Sequence, residues 1–144
     1  MLGSQSQQQV ELLLSRCRAY VYAGVEDFGI APVEAMAAGA PVIGLGRGGL
    51  LDTVRCAASG VEEATGVLFP DQTVTSLVEA LRWFEQRRLW RELDPAVLRQ
   101  WAERFRPQAF AERFQATLSR VWSEHQKLCA VAASDPGEMT ELRW

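Results

Sequence analysis

The stretch Ala19–Leu45, AYVYAGVEDFGIAPVEAMAAGAPVIGL, decides the fold. It opens on a short β-prone run, Ala19-Tyr20-Val21-Tyr22. A polar, glycine-containing loop follows from Gly24 to Gly29. Pro32 then opens a helical segment that runs through Ala38, and Gly39 closes it. Proline at the first helical position and glycine just past the last are the usual punctuation of a helix. Pro41-Val42-Ile43-Gly44-Leu45 is continuously apolar, the pattern of a strand buried on both faces. Strand, loop, helix and strand in so short a span point to a parallel α/β sheet.

The same alternation continues outward. Upstream, Val10, Leu13, Leu14 and Cys17 fall at helical spacing between Val10 and Arg18. Downstream, Gly46-Arg47-Gly48-Gly49 is a tight loop, Leu50–Ala58 is expected to be a helix, and Gly66-Val67-Leu68-Phe69 is a third short strand stopped by Pro70. The remainder is helical in pattern. Val74–Arg88 carries Leu77, Val78, Leu81 and Phe84 on one face; Pro95–Phe105 carries Leu98, Trp101 and Phe105. Pro107–Gln126 repeats Phe110, Phe114, Leu118, Val121 and Trp122 at helical spacing. The tail from Ser134, with Pro136-Gly137 and no period, is expected to be disordered. The fold predicted is α/β: a partial Rossmann-like, three-layer α/β/α arrangement on a parallel sheet, with a helical C-terminus. Three strands are few for so many helices, and this is the first sign of an incomplete domain.

Composition narrows the function. The 144 residues suffice for one ordinary domain, 48% of them are apolar, and the formal net charge is -3. Lys127 is the only lysine among the 15 basic residues, and the arginines are spread along the chain rather than massed to track a phosphate backbone, so nucleic acid is not an expected partner. Cys17, Cys56 and Cys129 are odd in number and widely spaced, which fits reduced thiols in a cytoplasmic protein rather than a disulfide framework. His125, the single histidine, is expected to be solvated. No run of residues approaches the length of a membrane span. Met1–Gln9 is polar and uncharged, unlike a signal peptide.

Ligands of open α/β sheets bind at the carboxyl ends of the strands. Two loops leave such ends here, Ala23–Ala31 and Gly46–Gly49, and both lead into helices whose first N–H groups are unpaired. Glycine lets the backbone approach a ligand closely, so the pair describes an anion site suited to a diphosphate. Glu34 is expected in the first turn of its helix, where the dipole stabilises a carboxylate; such a group also accepts two hydrogen bonds at once, as from the adjacent hydroxyls of a ribose. Glu26, eight residues earlier in the loop, is placed to reach the other end of a bound nucleotide sugar. Arg47 is placed to offset diphosphate charge, although a solvated arginine is the plainer reading. Spacing alone carries little: with thirteen glutamates in 144 residues, chance supplies a pair at almost any offset.

Context carries more. EDFGIAPVEAMAAGAPVI, from Glu26 to Ile43, resembles the E-x7-E region of the retaining glycosyltransferases of family 4, whose pattern is E-G-F-G-L-P-x-x-E-A-M-A-x-G-x-P-V-I. Gly48-Gly49-Leu50-Leu51-Asp52 is similar to that family's G-G-x-x-E, with aspartate for glutamate. The likeness runs from about Leu2 to Gln126. It implies the GT-B architecture, two Rossmann-like domains facing across a cleft, with the nucleotide sugar held by the C-terminal one. It implies that Glu26, as the catalytic carboxylate, contacts the hydroxyls of the transferred sugar. Phe28, Gly29 and Ile30 would meet sugar and diphosphate through their backbone, Glu34 the ribose, and Gly48 and Gly49 the nucleotide pocket. No metal and no cofactor are implied. Asp27 replaces the common glycine, as in mannosyltransferase-like members, which tilts the expected substrate toward GDP-mannose.

The resemblance also implies what is absent. Residues 1–128 correspond to part of the nucleotide-sugar domain, with 129–144 read as a disordered tail. The acceptor domain, which would take a glycan or lipid-linked acceptor, lies outside, as does the upstream basic pair that grips the diphosphate. The chain alone is therefore expected to be inactive, a truncated piece of a hexosyltransferase that is cytoplasmic or, when complete, peripheral to the inner membrane face. The alternative is a non-catalytic module that binds nucleotide or self-associates. Self-association is expected in either case, because the strand Ala19–Tyr22 loses partners and Trp90, Trp101 and Trp122 are left uncovered. A dehydrogenase is disfavoured because no G-x-G-x-x-G follows a first strand, and a pyridoxal-dependent phosphorylase because Lys127 is badly placed.

Overall fold

The computed structural model describes residues 3–134. They divide after Phe105 into two compact units.

The first unit holds three strands, β1 (Tyr20–Tyr22), β2 (Val42–Leu45) and β3 (Gly66–Phe69), in the order β1-β2-β3. Both pairings are parallel, with Tyr20 beside Val42 and Val42 beside Gly66. Every residue of β2 is buried, so helices cover both faces of the central strand, as its unbroken apolar run requires. β1 has a partner on one side only within this sheet: Val21 is 45% exposed on one face, while Tyr20 and Tyr22 are half-buried on the other, where Tyr22 packs against the core.

Six helices surround the sheet: α1 (Gln7–Arg16), α2 (Ile30–Ala38), α3 (Leu50–Thr53), α4 (Val74–Gln86), α5 (Leu89–Glu92) and α6 (Pro95–Ala102). Ser6 starts α1 with a reciprocal cap: the Gln9 N–H donates to its hydroxyl, and its own N–H donates to the Gln9 amide oxygen. Thr73 caps α4 and Asp94 caps α6 in the same sense. The core gathers Met36, Val42, Ile43, Leu45, Leu50 and Phe84, each at most 1% exposed. Leu50 sits directly on β2, where a Cβ at Gly44 would lie 2.3 Å from its Cδ2.

Several boundaries differ from the sequence reading. α2 begins at Ile30, so Pro32 is its third residue rather than its first; a proline there still removes only an N–H that has no partner within the helix. The expected helix Leu50–Ala58 is one turn, α3, then extended chain over Val54–Cys56, then a short 3-10 turn at Ala57–Ser59. Arg55 N–H donates to the Thr65 hydroxyl, Thr65 N–H donates to Arg55 O, and Cys56 bridges to Gly66. Pairing beside β3 thus takes the backbone groups that a longer helix would have used. The sequence reading missed α5, which follows Arg88 in a left-handed conformation at φ 51°.

The second unit is one helix, α7 (Pro107–Ser134). It extends eight residues beyond Gln126 and six into the segment 129–144 read as a tail. Ala130, Ala132 and Ala133 are of the residue type that most favours helix. Residues 135–144, where the remaining tail expectation falls, lie outside the described residues. No described helix is long and apolar enough to cross a membrane.

Candidate functional site

The loops that leave β1 and β2 meet backbone to backbone. Gly49 N–H donates to Glu26 O at 2.7 Å. A Cβ at Gly48 would lie 2.4 Å from Glu26 O, and one at Gly49 would lie 2.4 Å from both Asp27 O and Phe28 Cα. No other residue fits at either place without moving the first loop. The loop after β3 joins them: Gly46 N–H donates to Phe69 O at 2.8 Å, and the Gln72 amide donates to Ala23 O at 3.0 Å. Three strand ends thereby close into one surface at the carboxyl edge of the sheet, where open α/β sheets bind ligands.

The N-terminus of α2 opens onto this surface. Gly29 caps it at φ 83°, a left-handed conformation open to glycine, and no side chain caps its N–H groups. Ile30 and Ala31 therefore present unpaired donors and the positive end of the helix dipole. Phe28 is 42% exposed, with one edge packed on Phe105, and Ile30 is 68% exposed. Arg47 is exposed in the second loop.

The two glutamates occupy different ground. Glu26 is exposed on the first loop. Glu34 is the fifth residue of α2, not in its first turn, so the dipole gives it less than the sequence reading supposed. Its side chain helps wall a groove of about 780 Å³ between α1 and α2, with Gln7, Glu11, Ser15 and Ala38. Glu26, Phe28, Gly48 and Gly49 are not among the walls of that groove. Tyr20 connects the two places. Its phenol is raised above the ordinary value, first by burial and then by the negative charges of Glu26 and Glu34.

Tyr22 is the residue the sequence reading missed. Its hydroxyl donates to Glu26 Oε1 at 2.5 Å, which pushes the phenol up to about 12. The available signal was the period of two: Tyr20 and Tyr22 share one face of β1, their rings stack with centroids 6.5 Å apart, and Glu26 follows four residues later. Carboxylates, amides and a serine around the groove suit hydroxyl partners; the α2 N–H groups and Arg47 are the features here that suit phosphate oxygens. Among the described residues no three His, Cys, Asp or Glu side chains gather as a metal site.

The other expectations resolve as follows. Cys17, Cys56 and Cys129 are free thiols. His125 is exposed, with Nε2 3.5 Å from the Cys129 sulfur. Trp90 and Trp101 are half-buried rather than uncovered. Trp90 packs on Phe84 under the Arg18 guanidinium, and the Trp101 indole donates to Thr53 O at 2.7 Å with Arg55 stacked 3.8 Å from its ring centre. Both therefore serve packing within the first unit.

A parallel three-stranded α/β sheet flanked by helices matches a fragment of the GT-B architecture. The chain belongs to the family of glycosyl transferases group 1, whose model matches residues 1–111. It is 43% identical over 72 residues to an alpha-1,3/1,6-mannosyltransferase of Saccharomyces cerevisiae, covering 48% of this chain and 14% of that protein. It is 32% identical over 103 residues to a sucrose synthase of Acidithiobacillus caldus, covering 67% of this chain and 12% of that protein. Among solved structures, sucrose-phosphate synthase from Thermosynechococcus elongatus matches with a TM-score of 0.67 and 26% identity, covering 85% of this chain and 30% of that one. The chain thus spans less than a third of the length of each.

Proposed function

We propose that this chain supplies the nucleotide-sugar half-site of a retaining, family 4-type glycosyltransferase. The observation that carries the reading is the seating of Gly48 and Gly49 against Glu26–Phe28, which joins both loops and the start of α2 in one surface. On this surface the free N–H groups of Ile30 and Ala31, with Arg47, face the diphosphate, aided by the backbone of Phe28 and Gly29. Negative charge grows on the leaving diphosphate as the glycosidic bond breaks, and donors already fixed in place stabilise it most. Glu34 accepts hydrogen bonds from the ribose, and Glu26 accepts from hydroxyls of the transferred hexose. No metal has a role in this scheme. GDP-mannose is the favoured substrate, on the strength of Asp27 and the yeast mannosyltransferase likeness. The acceptor, a glycan or a lipid-linked glycan, belongs to a domain beyond this chain, and the complete enzyme works in the cytoplasm or at the inner membrane face. The chain by itself binds without transferring and self-associates.

The test is calorimetric titration with GDP, UDP, ADP and GDP-mannose. One nucleotide is expected to bind selectively, and Glu34→Ala is expected to weaken it by about tenfold or more, the scale of hydrogen bonds to a charged group. Failure of all four to bind would overturn the half-site reading.

A further inference from the structure

Tyr22 ends β1, and its side chain lies over Gly24 to reach the loop beyond. The hydroxyl donates to Glu26 Oε1 at 2.5 Å. Two features hold the phenol there. The Tyr20 ring stacks on it nearly in parallel, at an interplanar angle of 8°. Gly24 leaves room for it, since a Cβ at that position would lie 2.6 Å from the hydroxyl oxygen. Glutamate on an exposed loop otherwise samples many rotamers, and binding a ligand would have to freeze them.

We infer that Tyr22 is a positioning residue, which holds one oxygen of Glu26 and leaves the other, Oε2, aimed at a hydroxyl of the bound sugar. The inference rests on the proposed meeting of Glu26 with the sugar of a nucleotide sugar. The phenol is pushed up to about 12, mainly by this bond, so it stays protonated and donating throughout the physiological range. No bond is made or broken by Tyr22 itself. The alternative is that the tyrosine merely clasps the loop, and the two roles separate by ligand. A positioning role touches only recognition of the sugar, whereas a clasp touches every ligand of the surface.

The experiment measures by calorimetry, on the full chain, the affinity for a nucleoside diphosphate and for the matching nucleotide sugar. Tyr22→Phe is expected to lower the ratio of nucleotide-sugar to nucleoside-diphosphate affinity by about fivefold, within the range for the net contribution of one hydrogen bond. Gly24→Ala, which displaces the phenol and leaves both partners unchanged, is expected to do the same. Glu26→Gln is expected to lower the ratio at least as far, and Tyr22→Phe added to it to change nothing more. In a 13C-tyrosine NMR titration one ring should titrate near 12 and return toward the ordinary phenol value of about 10 in Glu26→Gln. An unchanged ratio in Tyr22→Phe and Gly24→Ala, beside a lowered ratio in Glu26→Gln, overturns the positioning role and leaves Glu26 as the sugar contact. An unchanged ratio in Glu26→Gln, or no binding of any nucleotide sugar by the wild type, overturns both.

Discussion

Gly49 sits at an ordinary helical φ of -63°, so backbone conformation does not demand glycine there; space does. A Cβ would enter the first loop at 2.4 Å from Asp27 O and Phe28 Cα, backbone atoms that no rotamer change can relieve. Gly49→Ala is therefore expected to destabilise the fold by about 1–3 kcal/mol, the usual cost of overpacking. It should also weaken nucleotide binding more than its stability loss alone explains. Urea unfolding beside calorimetry checks both, and an unchanged urea midpoint would show that the loops part freely. Tyr22 gives a pH test. Its phenol holds its proton more tightly in the folded chain than an ordinary phenol does, so the hydrogen bond to Glu26 contributes fully below pH ~10 and its contribution is lost as pH rises through about 12. The urea midpoint of the wild type should fall across that window more steeply than that of Tyr22→Phe; parallel curves would mean that Glu26 does not hold the phenol.

At the scale of elements, α2 shows what a sequence can and cannot tell. Its end is legible because Gly39 adopts φ 91° and donates to Ala35 O and Met36 O, as a left-handed glycine cap does. Its start is not, because Pro32 is compatible with any of the first helical positions and the choice belongs to Gly29. Gly39 also meets α6: a Cβ would lie 2.8 Å from an Arg99 guanidinium nitrogen and 3.2 Å from Pro95 Cβ. Gly39→Ala is expected to cost about 1–2 kcal/mol and lower the thermal midpoint; a midpoint at or above the wild type would mean that α6 yields easily. All three strands were legible from their apolar runs. The short α3 was not, because the pairing that ends it comes from Thr65 and Gly66, ten residues on from Arg55 and Cys56. The candidate site divides in the same way. Glu26, Gly48 and Gly49 stand out in sequence through motif and turn chemistry, whereas the period of two puts Tyr22 on one face with Tyr20 but does not give its contact with Glu26.

For the whole molecule, two features support self-association. β1 leaves one edge unpaired within the sheet, and Phe110, Phe114, Leu118, Val121 and Trp122 of α7 are each about half exposed or more. Exposed apolar residues in a continuous helical stripe tend to find a partner. Light scattering after size exclusion is expected to show a mass that rises with concentration, and the double substitution Leu118→Glu, Trp122→Glu to reduce that rise. A constant monomer mass would remove the idea.

The seating of the second loop on the first has a consequence for redesign. Because Gly48 and Gly49 take their shape from the backbone at Glu26, Asp27 and Phe28, the two segments behave as a lock and its matched key. A chimera that borrows one of them from a relative must preserve this fit, since any side chain at Gly48 or Gly49 would put its Cβ 2.4 Å from backbone atoms of the first loop. Swapping ligand preference between members of this family therefore calls for transplanting both segments together.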